Sequence, residues 1–133
     1  MTRVVVVEDD PHNAVLFRKL FEKRLGCAVT VTESPEELFA AVRDPEVRLV
    51  VMDVSLAHSS WKGRPIGGVE LCRMLKADPV SAAIPVMLAT AHAMRGDAER
   101  LLAESGADDY LSKPIVDHAQ FVERVRALVQ EAA

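Results

Sequence analysis

Asp53 closes an apolar run, Leu49-Val50-Val51-Met52, and a second run, Val4-Val5-Val6-Val7, leads into Glu8-Asp9-Asp10. An uninterrupted apolar run suits a strand covered on both faces, and such a strand delivers whatever follows it to the rim of a sheet. Two further stretches end in polar residues: Pro85-Val86-Met87-Leu88-Ala89 runs into Thr90, and Asp109-Tyr110-Leu111-Ser112 into Lys113. Clustered carboxylates repel one another unless a cation neutralises them. Hard oxygen ligands with only one or two direct carboxylates suit Mg²⁺. Lys113 adds a fixed positive charge and Thr90 a hydroxyl donor, which is what a transferring phosphoryl group requires. The implied chemistry is attack by the Asp53 carboxylate on phosphorus to give an aspartyl phosphate. Each residue alone has a plainer reading. Asp10 before Pro11 suits a helix cap, Lys113 before Pro114 a solvated turn, and Thr90 a hydroxyl bonded to the backbone. The inference rests on all four strand ends sharing one rim.

The elements that must bring these ends together are legible from period and punctuation. Residues 3–8 read as a strand, and Asp10-Pro11 opens a helix with apolar residues at Ala14, Phe17, Leu20, Phe21 and Leu25, stopped at Gly26. Residues 28–32 alternate apolar with polar, as a half-exposed edge strand does. Ser34-Pro35-Glu36-Glu37 is a capping box opening a short helix through Leu38, Ala41 and Val42, and the strand at 48–53 follows. Residues 54–67 are the least patterned stretch, long for a strand-to-helix loop. Helices at 68–77, 97–105 and from about 117 onward alternate with the strands at 85–89 and 109–112. Five strands alternating with five helices predict an α/β fold with a doubly wound five-stranded parallel sheet. The order 2-1-3-4-5 puts the alternating strand at an edge and the first and third strand ends side by side.

Bulk properties agree with this and exclude several classes. The chain has 133 residues, half of them hydrophobic, and a net charge of −4. The length fits one domain with a real core, and the charge gives no nucleic-acid or anionic-membrane surface. No apolar stretch approaches the ~20 residues of a membrane span, and no signal peptide opens the chain. Cys27 and Cys72 show no ligand spacing, and reduced core thiols in a cytoplasmic protein are the expectation. His12, His58, His92 and His118 are scattered, so zinc chemistry has little support.

Val7-Glu8-Asp9-Asp10-Pro11, Met52-Asp53, Ala89-Thr90-Ala91 and Tyr110-Leu111-Ser112-Lys113-Pro114 occur in an order that strongly resembles the receiver domain of two-component response regulators. The resemblance covers nearly the whole chain and implies a CheY-like, flavodoxin-like three-layer sandwich spanning residues 1–133 with no output domain. It implies that Asp53 accepts a phosphoryl group from the phosphohistidine of a sensor histidine kinase or a histidine phosphotransfer protein. Asp9 would bind Mg²⁺ directly, Glu8 through water, and the Ser55 backbone carbonyl would join Asp53 as a further ligand. Thr90 would swing toward the phosphoryl group, Lys113 would pair with it through a cis Lys113–Pro114 bond, and Tyr110 would turn inward on activation. Such a protein is a signalling phosphoacceptor and not an enzyme. It would act on a downstream protein through residues 93–131, as a monomer or weak homodimer.

The chain departs from that pattern after the acceptor. Ala57 stands where the family commonly has a proline, and His58 to Ile66 look like an insertion, with Gly68 in place of the usual loop-ending glycine. Trp61 within it reads either as an aromatic packed on the domain's own surface or as a partner contact. Ser55 and His92 fall where the family tunes hydrolysis of the aspartyl phosphate. Other readings stay open: a phosphorelay intermediate passing the group onward, a phosphorylation-independent adaptor, a flavodoxin-type phosphate binder, or an Asp-nucleophile phosphatase. The acidic Glu8-Asp9-Asp10 loop disfavours the flavodoxin type, because it would repel phosphate without a cation. Ser55, standing where such phosphatases carry a second acid, disfavours the phosphatase.

Overall fold

The computed structural model describes residues 2–56, 59–91 and 97–132. The chain runs β1 (Arg3–Val7), α1 (Pro11–Lys19), β2 (Ala28–Thr32), α2 (Pro35–Ala41), β3 (Val47–Asp53), β4 (Ser60–Trp61), β5 (Arg64–Pro65), α3 (Gly68–Ala77), β6 (Val86–Thr90), α4 (Asp97–Ser105), β7 (Asp109–Ser112) and α5 (His118–Ala132). The main sheet is parallel throughout, in the order β2-β1-β3-β6-β7. Counting its five strands alone, that is 2-1-3-4-5.

Alternation across the strands divides the core into two layers. Val4, Val6, Leu49, Val51, Met87 and Ala89 pack with Phe17, Phe21, Phe121 and Val125 beneath α1 and α5. Val5, Val7, Val50, Met52, Val86 and Leu88 pack with Leu38, Leu71 and Leu75 beneath α2 and α3. All four residues Val4 to Val7 are fully buried, which is why the run is apolar without interruption. β2, which pairs only with β1, is an edge strand that buries Val29 and Thr32 and leaves Ala28, Thr30 and Val31 half-buried.

Local chemistry sets the helix starts. Asp10 accepts the His12 N–H at 2.9 Å with Pro11 in the first turn of α1. Ser34 accepts the Glu37 N–H, and Asp117 the Gln120 N–H, at the starts of α2 and α5. The structure corrects two expectations. The first helix does not run uniformly to residue 25; beyond Lys19 it widens into π turns at Leu20–Arg24. The stretch 54–67 is not simply loop, because Ser60–Trp61 and Arg64–Pro65 pair as an antiparallel hairpin. Lys62 and Gly63 form its two-residue turn with φ of 51° and 80°, the both-positive geometry that matches strand twist in tight hairpins. No helix is long and apolar enough to cross a membrane among the described residues.

Candidate functional site

Parallel pairing carries the register one residue past each strand. Val7 lies beside Met52, Asp53 beside Ala89 and Thr90 beside Ser112. The ladder continues through Glu8 N–H to Thr32 O, Val54 N–H to Ala89 O and Lys113 N–H to Thr90 O. Glu8, Asp53, Thr90 and Lys113 therefore emerge at one edge because their strands end in step. Asp53 and Thr90 are 2% and 1% exposed, while Asp9 stands half-buried beside Glu8.

Carboxylate oxygens of Glu8, Asp9 and Asp53 lie within 4.8 Å of one another. Lys113 Nζ donates to Asp53 Oδ1 at 3.1 Å and to Glu8 Oε1 at 3.3 Å. The Ser55 N–H donates to the same Asp53 oxygen at 3.0 Å, so the chain just after β3 folds over the Asp53 carboxylate. The Lys113–Pro114 bond is cis. Asp10 is not part of the cluster; it caps α1 and is exposed. Tyr110 is half-buried on β7, with Arg124 of α5 5.4 Å from its ring centre. Ala57, His58 and His92 lie outside the described residues, as does 93–96 of the expected partner face.

Three acids facing one ammonium leave an excess of negative charge, and the acids resolve it unequally. Burial, then the hydrogen bond and charge of Asp53, push Glu8 up to about 7. Burial also pushes Asp53 upward, but the hydrogen bonds from Glu8, the Ser55 N–H and Lys113 outweigh it and hold the carboxyl below its usual value. Burial works against the Lys113 charge, yet Asp53 and Glu8 raise it above the ordinary lysine value. At neutral pH Asp53 is thus an ionised carboxylate beside an ammonium, with Glu8 retaining a proton much of the time. The reading from sequence put Lys113 against a phosphoryl group and did not foresee this pairing with Glu8. Nothing local signals a contact across 105 residues. The donor set is hard oxygen, compact and anionic, which fits Mg²⁺ rather than a soft metal.

Gly68 also shapes the site. A Cβ on it would fall 2.0 Å from the Asp53 carbonyl oxygen, so only glycine lets α3 begin this close to the end of β3. The inserted hairpin is anchored beside it. Ser59 Oγ donates to Glu33 O at 2.7 Å, Ile66 is buried, and the Trp61 and Phe39 rings meet edge-on with centres 4.8 Å apart.

The response regulator receiver domain model matches residues 4–126. A polar-differentiation response regulator, DivK, of Brucella ovis is 34% identical over 129 residues, covering 97% of both chains. The receiver domain of the sensor histidine kinase PA1611 from Pseudomonas aeruginosa, solved with magnesium coordinated in its active-site cleft, superposes with a TM-score of 0.79. It is 23% identical and covers 97% of this chain and 98% of its own. The NtrX receiver domain of Brucella abortus superposes with a TM-score of 0.80 at 20% identity, over 96% of this chain and 98% of its own. The chain belongs to the response regulator receiver domain family, CheY-like α/β proteins that serve in signalling as phosphoacceptors rather than as enzymes.

Proposed function

We propose that this protein is a stand-alone response regulator in which Asp53 takes a phosphoryl group from the phosphohistidine of a sensor kinase or phosphotransfer protein. The observation that carries this reading is the ionised, buried Asp53 carboxylate held 3.1 Å from Lys113 Nζ within a three-carboxylate cluster. A response regulator, DivK, matched over 97% of its own length supports a regulator of about this length.

An Asp53 oxygen attacks phosphorus, a P–O bond forms, and the P–N bond breaks with its electron pair going to the imidazole. The product is an acyl phosphate. Lys113 keeps the nucleophile ionised and then pairs with the phosphoryl oxygens, while the Ser55 N–H fixes the rotamer of the carboxylate. Asp9, Asp53, the Ser55 carbonyl and, through water, Glu8 are the groups that would hold Mg²⁺. When bound it neutralises charge on the phosphoryl oxygens. Thr90 closes on the new phosphoryl group and Tyr110 follows it inward, biasing an existing equilibrium of the 93–131 face toward its partner-binding form. The protein works in the cytoplasm, where its phosphodonors act.

Incubation with acetyl phosphate and Mg²⁺, followed by intact-mass measurement, tests the assignment. Wild type should gain one phosphoryl group and Asp53→Asn none. Equal labelling of both proteins would overturn it.

A further inference from the structure

We propose that the groove between the β4–β5 hairpin and α3 is a docking surface for an acidic segment of a partner protein that carries an apolar side chain. This goes beyond the phosphoacceptor reading and does not require Asp53 to be modified. The groove has a volume of about 350 Å³ and a largely apolar floor formed by Trp61, Pro65, Ile66 and Met74. A second hollow, lined by Glu70, Arg73 and Met74, adjoins it.

Charge selects the occupant. Lys62, Arg64 and Arg73 stand exposed around these hollows, with Glu70 as the one acid among the lining residues. The stretch Trp61 to Met74 thus carries +2 in a chain whose net charge is −4. Among the described residues Arg64 and Arg73 have no ion pair, and Lys62 has only the Trp61 ring, 5.7 Å away. Cations around an apolar floor favour a peptide with carboxylates flanking a hydrophobic residue. A nucleic-acid strand would be repelled by the negative remainder of the surface.

The groove is also preformed. Trp61 rests edge-on against Phe39, Ile66 is buried, and the Ile66 N–H bonds to Ser59 O, whose hydroxyl is tied to Glu33 O. A surface already ordered loses less entropy on binding. One wall, Trp61 to Ile66, belongs to the stretch by which this chain departs from the family pattern, so a partner held there is selected in part by this chain's own insertion.

A random 12-residue phage-displayed peptide library panned on the immobilised full chain tests this, with the Lys62→Glu, Arg64→Glu, Arg73→Glu triple variant as counter-surface. Enriched peptides are then titrated in solution, read by emission from Trp61, the chain's single Trp. Expected are peptides in which Asp or Glu flank an aromatic or aliphatic residue, a saturable change in Trp61 emission, and affinity for the triple variant weaker by about tenfold or more. Lys23→Glu, a charge reversal at an exposed site in the π turns after α1, should bind as wild type does. All three substituted side chains are exposed, and a melting temperature close to wild type verifies that the triple variant is folded. The proposal is overturned by enriched peptides without acids, by peptides that bind the triple variant equally, by silence of Trp61, or by a library that yields no binder discriminating the two surfaces. Binding of a twelve-nucleotide oligo-dT in competition with the peptides overturns it in favour of nucleic acid.

Discussion

At the scale of single residues, Glu8 makes the strongest pH-dependent claim. Burial and Asp53 raise it to about 7, so the folded chain keeps a proton that the unfolded chain releases near 4.5. That contribution to stability is fully present below about 4.5 and is lost as pH rises toward 7. Asp53 is shifted the other way, and its contribution is lost only as pH falls below the ordinary carboxylate range, so the two do not cancel in this window. The metal-free protein should therefore melt lower at pH 7.5 than at pH 5, by roughly 5–10 °C for a loss of about 1–3 kcal/mol. Stabilisation by Mg²⁺ should grow over the same interval, since a cation in the cluster competes with the Glu8 proton. Thermal melts from pH 5 to 8 with and without Mg²⁺ measure both effects, and Glu8→Gln should flatten the metal-free slope. A wild-type midpoint that rises across this interval contradicts the assignment. The rim where Glu8, Asp53, Thr90 and Lys113 meet was legible in the sequence, because each of the four stands at or just past a strand end. Its protonation was not, because it depends on how far burial and one long-range ammonium offset each other.

At the scale of elements, the fold was readable wherever a period repeats often enough to register. The runs at 4–7 and 49–52 declared buried strands, and the alternation at 28–32 declared an edge. The β4–β5 hairpin escaped because two-residue strands have no period, and its only local mark is Lys62-Gly63. The π turns at Leu20–Arg24 escaped because the same apolar spacing serves an ordinary helix. Two glycines around this insertion do different work, which substitution separates. Gly63 sits at φ 80° with open space around it, so Gly63→Ala meets only the backbone cost of that conformation, about 1–2 kcal/mol. Gly68 has no unusual backbone but no room. Gly68→Ala forces α3 away from the Asp53 carbonyl, at a cost of about 1–3 kcal/mol. Chemical denaturation should place both variants below wild type. Only Gly68→Ala should also slow acetyl phosphate labelling, because it alone displaces the backbone of Asp53, the proposed acceptor. Equal labelling rates in the two variants would separate α3 placement from acceptor geometry.

At the scale of the whole molecule, the proposed function needs a signal to pass from the rim at Asp53 toward α4, β7 and α5. The site end of that route is Lys113, which follows β7 directly and binds Asp53 and Glu8. Two residues before the end of β7, Tyr110 lies half-buried with Arg124 over its ring, and Arg124 is itself held by a two-pronged ion pair to Asp109. Asp109 and Tyr110 are adjacent, so one α5 side chain grips β7 both by charge and by its ring. Such a grip favours one placement of Tyr110, and a hold worth about 1.4 kcal/mol shifts a two-state population tenfold. Arg124→Ala removes both contacts while sparing Asp53, Lys113 and the residues proposed to hold Mg²⁺. Tyr110 is the chain's only tyrosine, so its ring resonances report this position without overlap. In wild type they should shift when acetyl phosphate and Mg²⁺ are added. In unphosphorylated Arg124→Ala they should already lie part-way along that shift, with Asp53 labelled at the wild-type rate. Ring resonances unchanged by the substitution would mean that Arg124 only covers Tyr110, and that the hold on the switch lies elsewhere in the β7–α5 contact.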